Sequence, residues 1–199
     1  MTGTNTRKLT LALAALCSIT LLSPQEASAQ RRFGFKGANG SAGGFAQRFA
    51  GGGGAAGIAG RGKYGAGAAG AIATPYGGGG FHAGQFAGPN GGNFQSAGAG
   101  AYKPGVGAFR QGGFSGQGPN GGTASGNSGF KYNAQTGQGT QSTSAQFTNA
   151  SGQTHGGSEQ TTFTKGQGGD TSIQTDNHGD YNVDWQKGQK PVVTPTTTQ

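Results

Sequence analysis

The three histidines of the chain are the first residues to test for metal or acid–base chemistry. His82, His155 and His178 are far apart in the sequence, and Cys17 is the one cysteine. Structural and catalytic zinc sites draw on closely spaced histidine and cysteine ligands, and no such spacing occurs here. The pattern predicts solvated loop histidines, with no metal and no cofactor.

Oxygen ligands cluster near the C-terminus, where residues 176–180 read Asp-Asn-His-Gly-Asp and Asp184 follows. Such oxygens suit Ca²⁺, but the run departs from the EF-hand spacing, so calcium is the weaker interpretation. Residues 149–151 read Asn-Ala-Ser, a formal N-glycosylation sequon. No motif indicates a phosphate loop or a Ser-His-Asp arrangement, and the sequence predicts a protein that is not an enzyme.

The basic residues give a more definite indication. Residues 30–131 hold nine Lys and Arg and no acid, whereas residues 132–199 hold three Lys and five acids. A basic segment attracts polyanions, and many weak cation and aromatic contacts add up to avidity. The alternative is a soluble spacer. The candidate polyanion-binding residues are Arg31, Arg32, Lys36, Arg48, Arg61, Lys63, Lys103 and Arg110.

The N-terminus has the three parts of a secretory signal peptide. Arg7 and Lys8 precede an apolar run that contains every leucine of the chain, and the run ends in Ala-Ser-Ala. We therefore expect residues 1–29 to be cleaved between Ala29 and Gln30. The protein would then be exported to the cell surface or the extracellular space, with the periplasm as an alternative. No second apolar stretch follows, so no transmembrane span is expected after processing.

The segment 30–129 is dominated by glycine and alanine. The chain contains 46 Gly in 199 residues, against an average usage of about 7%. Glycine loses the most backbone freedom on folding, and few large aliphatic residues are present to offset that cost. The composition predicts a flexible low-complexity arm with Gly-rich linker behaviour.

From about residue 130 a period of two indicates β-strands. It occurs in residues 142–148, 158–164, 171–176 and 180–186, and a fifth strand is expected near residues 129–133. The predicted fold is thus a mostly disordered Gly-rich chain with a small all-β C-terminal antiparallel meander of four to five short strands at 130–187, followed by a disordered tail at 188–199. The predicted apolar face of this sheet consists of Phe147, Phe163, Ile173, Tyr181, Val183 and Trp185.

In composition the chain resembles glycine-rich secreted surface and matrix proteins, although no motif carries that resemblance. We expect an exported, non-enzymatic envelope or extracellular-matrix protein. The basic arm would bind anionic polysaccharide, lipopolysaccharide or extracellular DNA, and the C-terminal sheet would dock or self-associate. The alternative is a cationic membrane-active or antimicrobial polypeptide, which would need an amphipathic surface element.

Overall fold

A computed structural model describes residues 27–176 and 178–196. They form one antiparallel sheet of thirteen strands in which every strand pairs with its neighbours in sequence. None of the described residues is helical. The strands are β1 (Ala27–Gly37), β2 (Gly40–Phe49), β3 (Gly54–Gly62), β4 (Gly65–Thr74), β5 (Gly77–Ala87), β6 (Asn93–Lys103), β7 (Gly107–Gln117), β8 (Thr123–Asn133), β9 (Gln138–Thr148), β10 (Thr154–Thr164), β11 (Gly168–Thr175), β12 (Asp180–Gln186) and β13 (Val192–Thr196).

The prediction of a mostly disordered chain with a small C-terminal meander of four to five strands is therefore wrong. The segment 30–129 forms β1 to β7 and part of β8, and β13 occupies part of the predicted tail. The composition favours disorder because it sets the high backbone entropy of glycine against little apolar burial. In the sheet, each interior strand also satisfies its backbone groups on two neighbours, and small side chains do not obstruct that pairing. The predicted leader lies outside the described residues apart from residues 27–29.

Five-residue loops of one geometry join several strands. In the two Gly-Pro-Asn-Gly-Gly copies at 88–92 and 118–122, the first N–H donates to the fifth carbonyl at 2.6 and 2.7 Å. The fourth N–H donates back to the first carbonyl at 3.2 and 3.1 Å. The fourth residues, Gly91 and Gly121, have φ of 89° and 85°, a conformation that glycine adopts at little cost. One loop closes the β5–β6 hairpin and the other the β7–β8 hairpin, and each of these four strands has 11 residues.

The register divides the side chains between two faces, because directly opposed residues of paired strands lie on the same side of a sheet. We call face A the side that carries Phe33, and face B the other side. One unbroken row on face A crosses all thirteen strands: Phe33, Gly44, Ile58, Ala69, His82, Gly98, Gly112, Ser128, Thr143, Glu159, Ile173, Tyr181 and Pro195.

The described sheet is a single layer without a hydrophobic core. Among the described residues, no hydrophobic side chain is buried, and only Gly126 and Gly139 are buried at all. Each of these glycines lies beneath a ring from the adjacent strand, that of Phe114 and that of Phe163 respectively. A Cβ at Gly126 would stand 2.6 Å from Cε1 of Phe114, so a larger residue does not fit. Rings laid over glycines replace a second layer as the side-chain packing of this sheet.

Candidate functional surfaces

A row of aromatic side chains crosses face A near one end of the strands. Tyr102, Tyr132, Phe163 and Trp185 stand on β6, β8, β10 and β12 in a single row, which we call the aromatic row. The strands between them contribute the small residues Ala108, Gly139 and Gly169. Since neighbouring strands are about 4.8 Å apart, one ring recurs about every 9.6 Å. The row is a flat, repetitive and apolar platform.

The rings of this row lean across the small residues between them. Phe163 stacks on Tyr132 with ring centroids 6.2 Å apart and planes 7° apart, and on Phe130 at 6.3 Å and 21°. On the other side of Phe163, a Cβ at Gly169 would lie 2.9 Å from Cζ2 of Trp185. The Trp185 ring therefore also leans over the glycine beside it.

A shallow cavity of about 460 Å³ lies at the opposite end of the strands. Its lining includes Phe94 and Phe147 on face A, with Gly116 and Ala124 between them in the same row. Phe94 also stacks on Phe114 at 6.0 Å. Face A thus presents aromatic groups at both ends of its strands.

The six residues of the predicted apolar face share face A. Register places Phe147, Phe163, Ile173, Tyr181, Val183 and Trp185 on this side of β9 to β12. Phe147 is 51% exposed, so nothing in the described chain covers it fully. Face B of the same strands bears mainly Ser, Thr, Gln, Asn and Asp, with cross-strand hydrogen bonds such as Ser172 Oγ to Asn182 Oδ1 at 3.1 Å.

The sheet distributes the eight candidate polyanion-binding residues over both faces. Arg31, Arg48 and Arg110 lie on face A, whereas Arg32, Lys36, Arg61 and Lys103 lie on face B, and Lys63 is in the β3–β4 turn. All eight are exposed.

Three of the eight gather at one corner of the sheet, which we call the basic corner. Lys36 and Arg61 flank Ser41 in one row of face B, and Lys63 follows two residues after Arg61. The Nζ of Lys63 lies 5.1 Å from the ring centroid of Tyr64, within reach of a cation–π contact.

Sequence spacing does not reveal a second basic site. A shallow, open depression of about 600 Å³ has Lys103, Phe109 and Lys131 in its lining, and we call it the basic groove. On face B, Phe109 stands directly opposite Lys131, and Lys103 stands opposite Gly107. Lys131 was counted in the basic segment but not among the candidates. The signal that could have found it is the pairing of residues 22 positions apart, which sequence spacing alone does not reveal.

Two carboxylates face each other in the row of face B that contains Lys131. Asp170 of β11 is directly opposite Asp184 of β12. A hydrogen bond with Asp184 raises the pKa of Asp170 above its ordinary value of 3.8, with smaller contributions from desolvation and from charge repulsion by Asp184. Asp170 therefore holds its proton more tightly than an isolated aspartate does.

The oxygen-rich turn near residue 178 serves the local hairpin. Asp180 Oδ1 accepts a hydrogen bond from Thr175 N at 3.2 Å, and the hydroxyl of Tyr181 donates to the His178 carbonyl at 2.7 Å. Asn177 lies outside the described residues. Within the described part, no group of three or more His, Cys, Asp or Glu is placed to hold a metal ion.

The sequon asparagine is engaged in its own loop. Asn149 Oδ1 accepts hydrogen bonds from Ser151 N at 3.0 Å, Ser151 Oγ at 2.7 Å and Gln153 N at 2.9 Å. Its amide nitrogen donates to Gln153 Oε1 at 2.8 Å. The side chain thereby stabilises the β9–β10 turn.

No helix in the described ranges is long and apolar enough to cross a membrane. The chain matches no protein-family model, no curated protein and no solved structure.

Proposed function

We propose that the chain is an exported, non-enzymatic structural protein of the cell envelope or extracellular matrix that binds anionic polymers. The observation that supports this most directly is the distribution of charge. Six of the strands from β1 to β8, all except β4 and β5, carry exposed Lys or Arg, and residues 30–133 contain no acid. These cations stand on a regular sheet instead of a flexible arm.

Repetition favours a polymeric ligand. A sheet of sequential hairpins presents similar side chains at every second strand, as the aromatic row does. A repetitive polymer engages such a surface many times at once, and weak single contacts then give firm overall binding. The export signal makes anionic polysaccharide, lipopolysaccharide and extracellular DNA the partners to test.

Self-association through face A is the second candidate function. The aromatic side chains of face A on β6 to β12, where Phe109 is the one aromatic residue of face B, support it, because an apolar sheet face is stable when another layer covers it. Edge-to-edge growth is less favoured. The edge strand β1 carries Arg31, Arg32 and Lys36, and β13 contains Pro195, and charge and proline at edges oppose strand addition.

Salt-dependent retention on immobilised anionic polysaccharide tests the main proposal. The protein should bind at low salt and elute as salt rises, because released counterions contribute to binding. Changing Arg31, Arg32 and Lys36 together to Gln should lower the eluting salt concentration. The control variant changes Lys165, Lys187 and Lys190 to Gln, which removes the same charge from the acid-containing half.

Each outcome has a definite meaning. Failure of the unmodified protein to bind at low salt would overturn the proposal. Equal effects of the two triple variants would show that binding depends on net charge alone, and this would contradict a dedicated basic region. Dye release from anionic vesicles, without retention on polysaccharide, would favour the membrane-active alternative.

A further inference from the structure

We propose that the basic groove on face B binds a carboxylated sugar ring, a uronic acid unit of an acidic polysaccharide. This inference rests on the proposed function and names the polymer class. The groove combines a cavity of about 600 Å³ with an exposed aromatic ring and two exposed lysines on the same face.

Phe109 supplies the flat apolar surface. Its side chain is 47% exposed, and within β6 to β12 it is the one aromatic residue on face B. The neighbouring positions Ala101 and Gly107 are small, so the ring is not crowded from that side. One face of a pyranose carries mainly C–H groups, which stack on an aromatic ring.

The two lysines stand on either side of β7, the strand that carries Phe109. Lys131 is directly opposite Phe109 on β8, and Lys103 is opposite Gly107 on β6. Strand geometry puts their Cα atoms about 12 Å apart, and each ammonium group sits on a flexible four-carbon stem that can turn toward Phe109. A carboxylate above the ring of Phe109 is therefore within reach of two cations.

Neutral polar groups complete the lining. Asn133, Gln138 and Thr140 line the same cavity, and register places all three on face B. The Oδ1 of Asn133 already accepts hydrogen bonds from Gln135 N at 2.9 Å and Thr136 N at 3.2 Å. The amide nitrogen of Asn133, the amide of Gln138 and the hydroxyl of Thr140 together still offer both donors and acceptors. Sugar hydroxyls need partners of this mixed kind, whereas a simple anion needs donors only.

Charge along the row favours a sparsely charged ligand over a nucleic acid. The row that contains Phe109 and Lys131 continues through two threonines to Asp170 and Asp184. Asp170, the nearer of the two, stands three strands from Lys131, about 14 Å away. A nucleic acid carries a phosphate about every 3.4 Å along each strand and would meet repulsion there. A polymer with isolated carboxylates can place one in the groove.

The test uses trigalacturonate that is methyl-esterified on its two outer units and so keeps one carboxylate, its fully methyl-esterified form and a short oligothymidylate. Dissociation constants are measured by isothermal titration calorimetry on the full protein. The acid should bind about tenfold more tightly than the ester, the ratio expected for one charge-assisted contact. Changing Lys103 and Lys131 together to Gln should weaken binding of the acid by about the same factor. Phe109→Leu, which keeps an apolar side chain, should also weaken it.

The matched control changes Lys165 and Lys187 to Gln, which removes the same charge. Both lysines are exposed and lie in the β10–β11 and β12–β13 turns, outside the basic groove. The control should leave binding of the acid nearly unchanged. Circular dichroism must show that each variant keeps its β signal, and all the exchanged positions are exposed.

Equal losses in the two charge variants, or equal binding of acid and ester, would overturn the inference. Binding of oligothymidylate that depends equally on Lys103 and Lys131 would assign the groove to nucleic acid and also overturn it. If the protein is retained on acidic polysaccharide but the groove variant binds trigalacturonate normally, the inference fails and the proposed function stands. If no anionic polymer is retained, the proposed function fails as well.

Discussion

Phe163 and Tyr132 stack on each other across an intervening strand, with ring centroids 6.2 Å apart and planes 7° apart. The two rings meet because Gly139, which lies between them in the row, has no side chain. Two strands on either side of a third are about 9.6 Å apart, and only rings that lean inward can close that distance. In this sheet, glycine makes direct contact possible between next-but-one strands.

Gly139→Ala should therefore destabilise the protein. A Cβ at this position would collide with the Phe163 ring, and the ring must leave its stack with Tyr132. Overpacking of this kind costs about 1–3 kcal/mol. The change is measurable as a lower free energy of unfolding in urea, together with a reduced near-UV circular dichroism signal.

Gly84→Ala is the matched control, because it also adds a methyl group to a strand glycine. A Cβ at Gly84 would make only ordinary contacts, the nearest 3.7 Å away. We expect a small or slightly stabilising effect, since alanine reduces the freedom of the unfolded chain. A combined Gly139→Ala and Phe163→Leu variant should cost less than the sum of the two single changes. Strict additivity would contradict the proposed clash.

The aromatic–glycine pairing also explains which strands the sequence reveals. In residues 142–186, Phe163 alternates with Thr162 and Thr164, and the period of two is visible. In β5, Phe81 lies between Gly80 and His82. Glycines occur on both faces of this strand, so apolar and polar side chains do not alternate visibly along it. A search for periodic hydrophobicity does not detect a glycine whose role is to make room for an aromatic ring.

A better signal for β5 to β10 lies in length and loop chemistry. Each of these six strands has 11 residues, and the two Gly-Pro-Asn-Gly-Gly loops begin 30 residues apart, at 88 and 118. Two strands and two turns fill that interval. Predicting the basic groove would also require the strand register. Lys103 and Lys131 come together only because β7 pairs in a particular register with both of its neighbours.

The opposed carboxylates of Asp170 and Asp184 predict a pH-dependent effect on stability. Because the pKa of Asp170 is raised in the folded state, the folded protein holds this proton more tightly than the unfolded chain does. The resulting contribution to stability is present below the ordinary pKa of 3.8 and is lost as pH rises through the raised value. Repulsion between the two groups then remains at neutral pH.

Asp184→Asn should consequently stabilise the protein at pH 7 and give less benefit at pH 3. Urea unfolding at both pH values measures the difference. Asp180→Asn is the control, because Asp180 accepts a hydrogen bond from Thr175 N and should gain nothing at pH 7. A stabilisation by Asp184→Asn that is equal at both pH values would contradict the electrostatic explanation.

Gly121→Ala should weaken the β7–β8 hairpin. Gly121 has φ of 85°, and an L-residue in the left-handed region costs about 1–2 kcal/mol. Gly121→Asn should cost less, since asparagine enters this region more readily. Faster amide hydrogen exchange in β7 and β8 would report the local loss.

Gly118→Ala, in the same loop, is the corresponding control. Gly118 does not have a positive φ, and its Cβ would meet only the Gly122 carbonyl oxygen at 3.6 Å. We expect exchange rates close to those of the unmodified protein. Equal acceleration by the alanine variants of Gly118 and Gly121 would show that loop crowding, not backbone conformation, sets the stability of this hairpin.

Face A should be the surface through which two sheets associate. Phe147 on face A and Phe109 on face B are 51% and 47% exposed, which makes them a matched pair of aromatic side chains on opposite faces. Phe147→Gln should weaken concentration-dependent association by roughly tenfold if its ring is central to the contact, whereas Phe109→Gln should not change it. Sedimentation equilibrium over a wide concentration range measures both.

Association that responds to Phe109→Gln instead would place the contact on face B, where it would compete with the basic groove for the same ring. A protein that stays monomeric at every concentration would leave the aromatic row of face A to a partner other than a second copy of the chain.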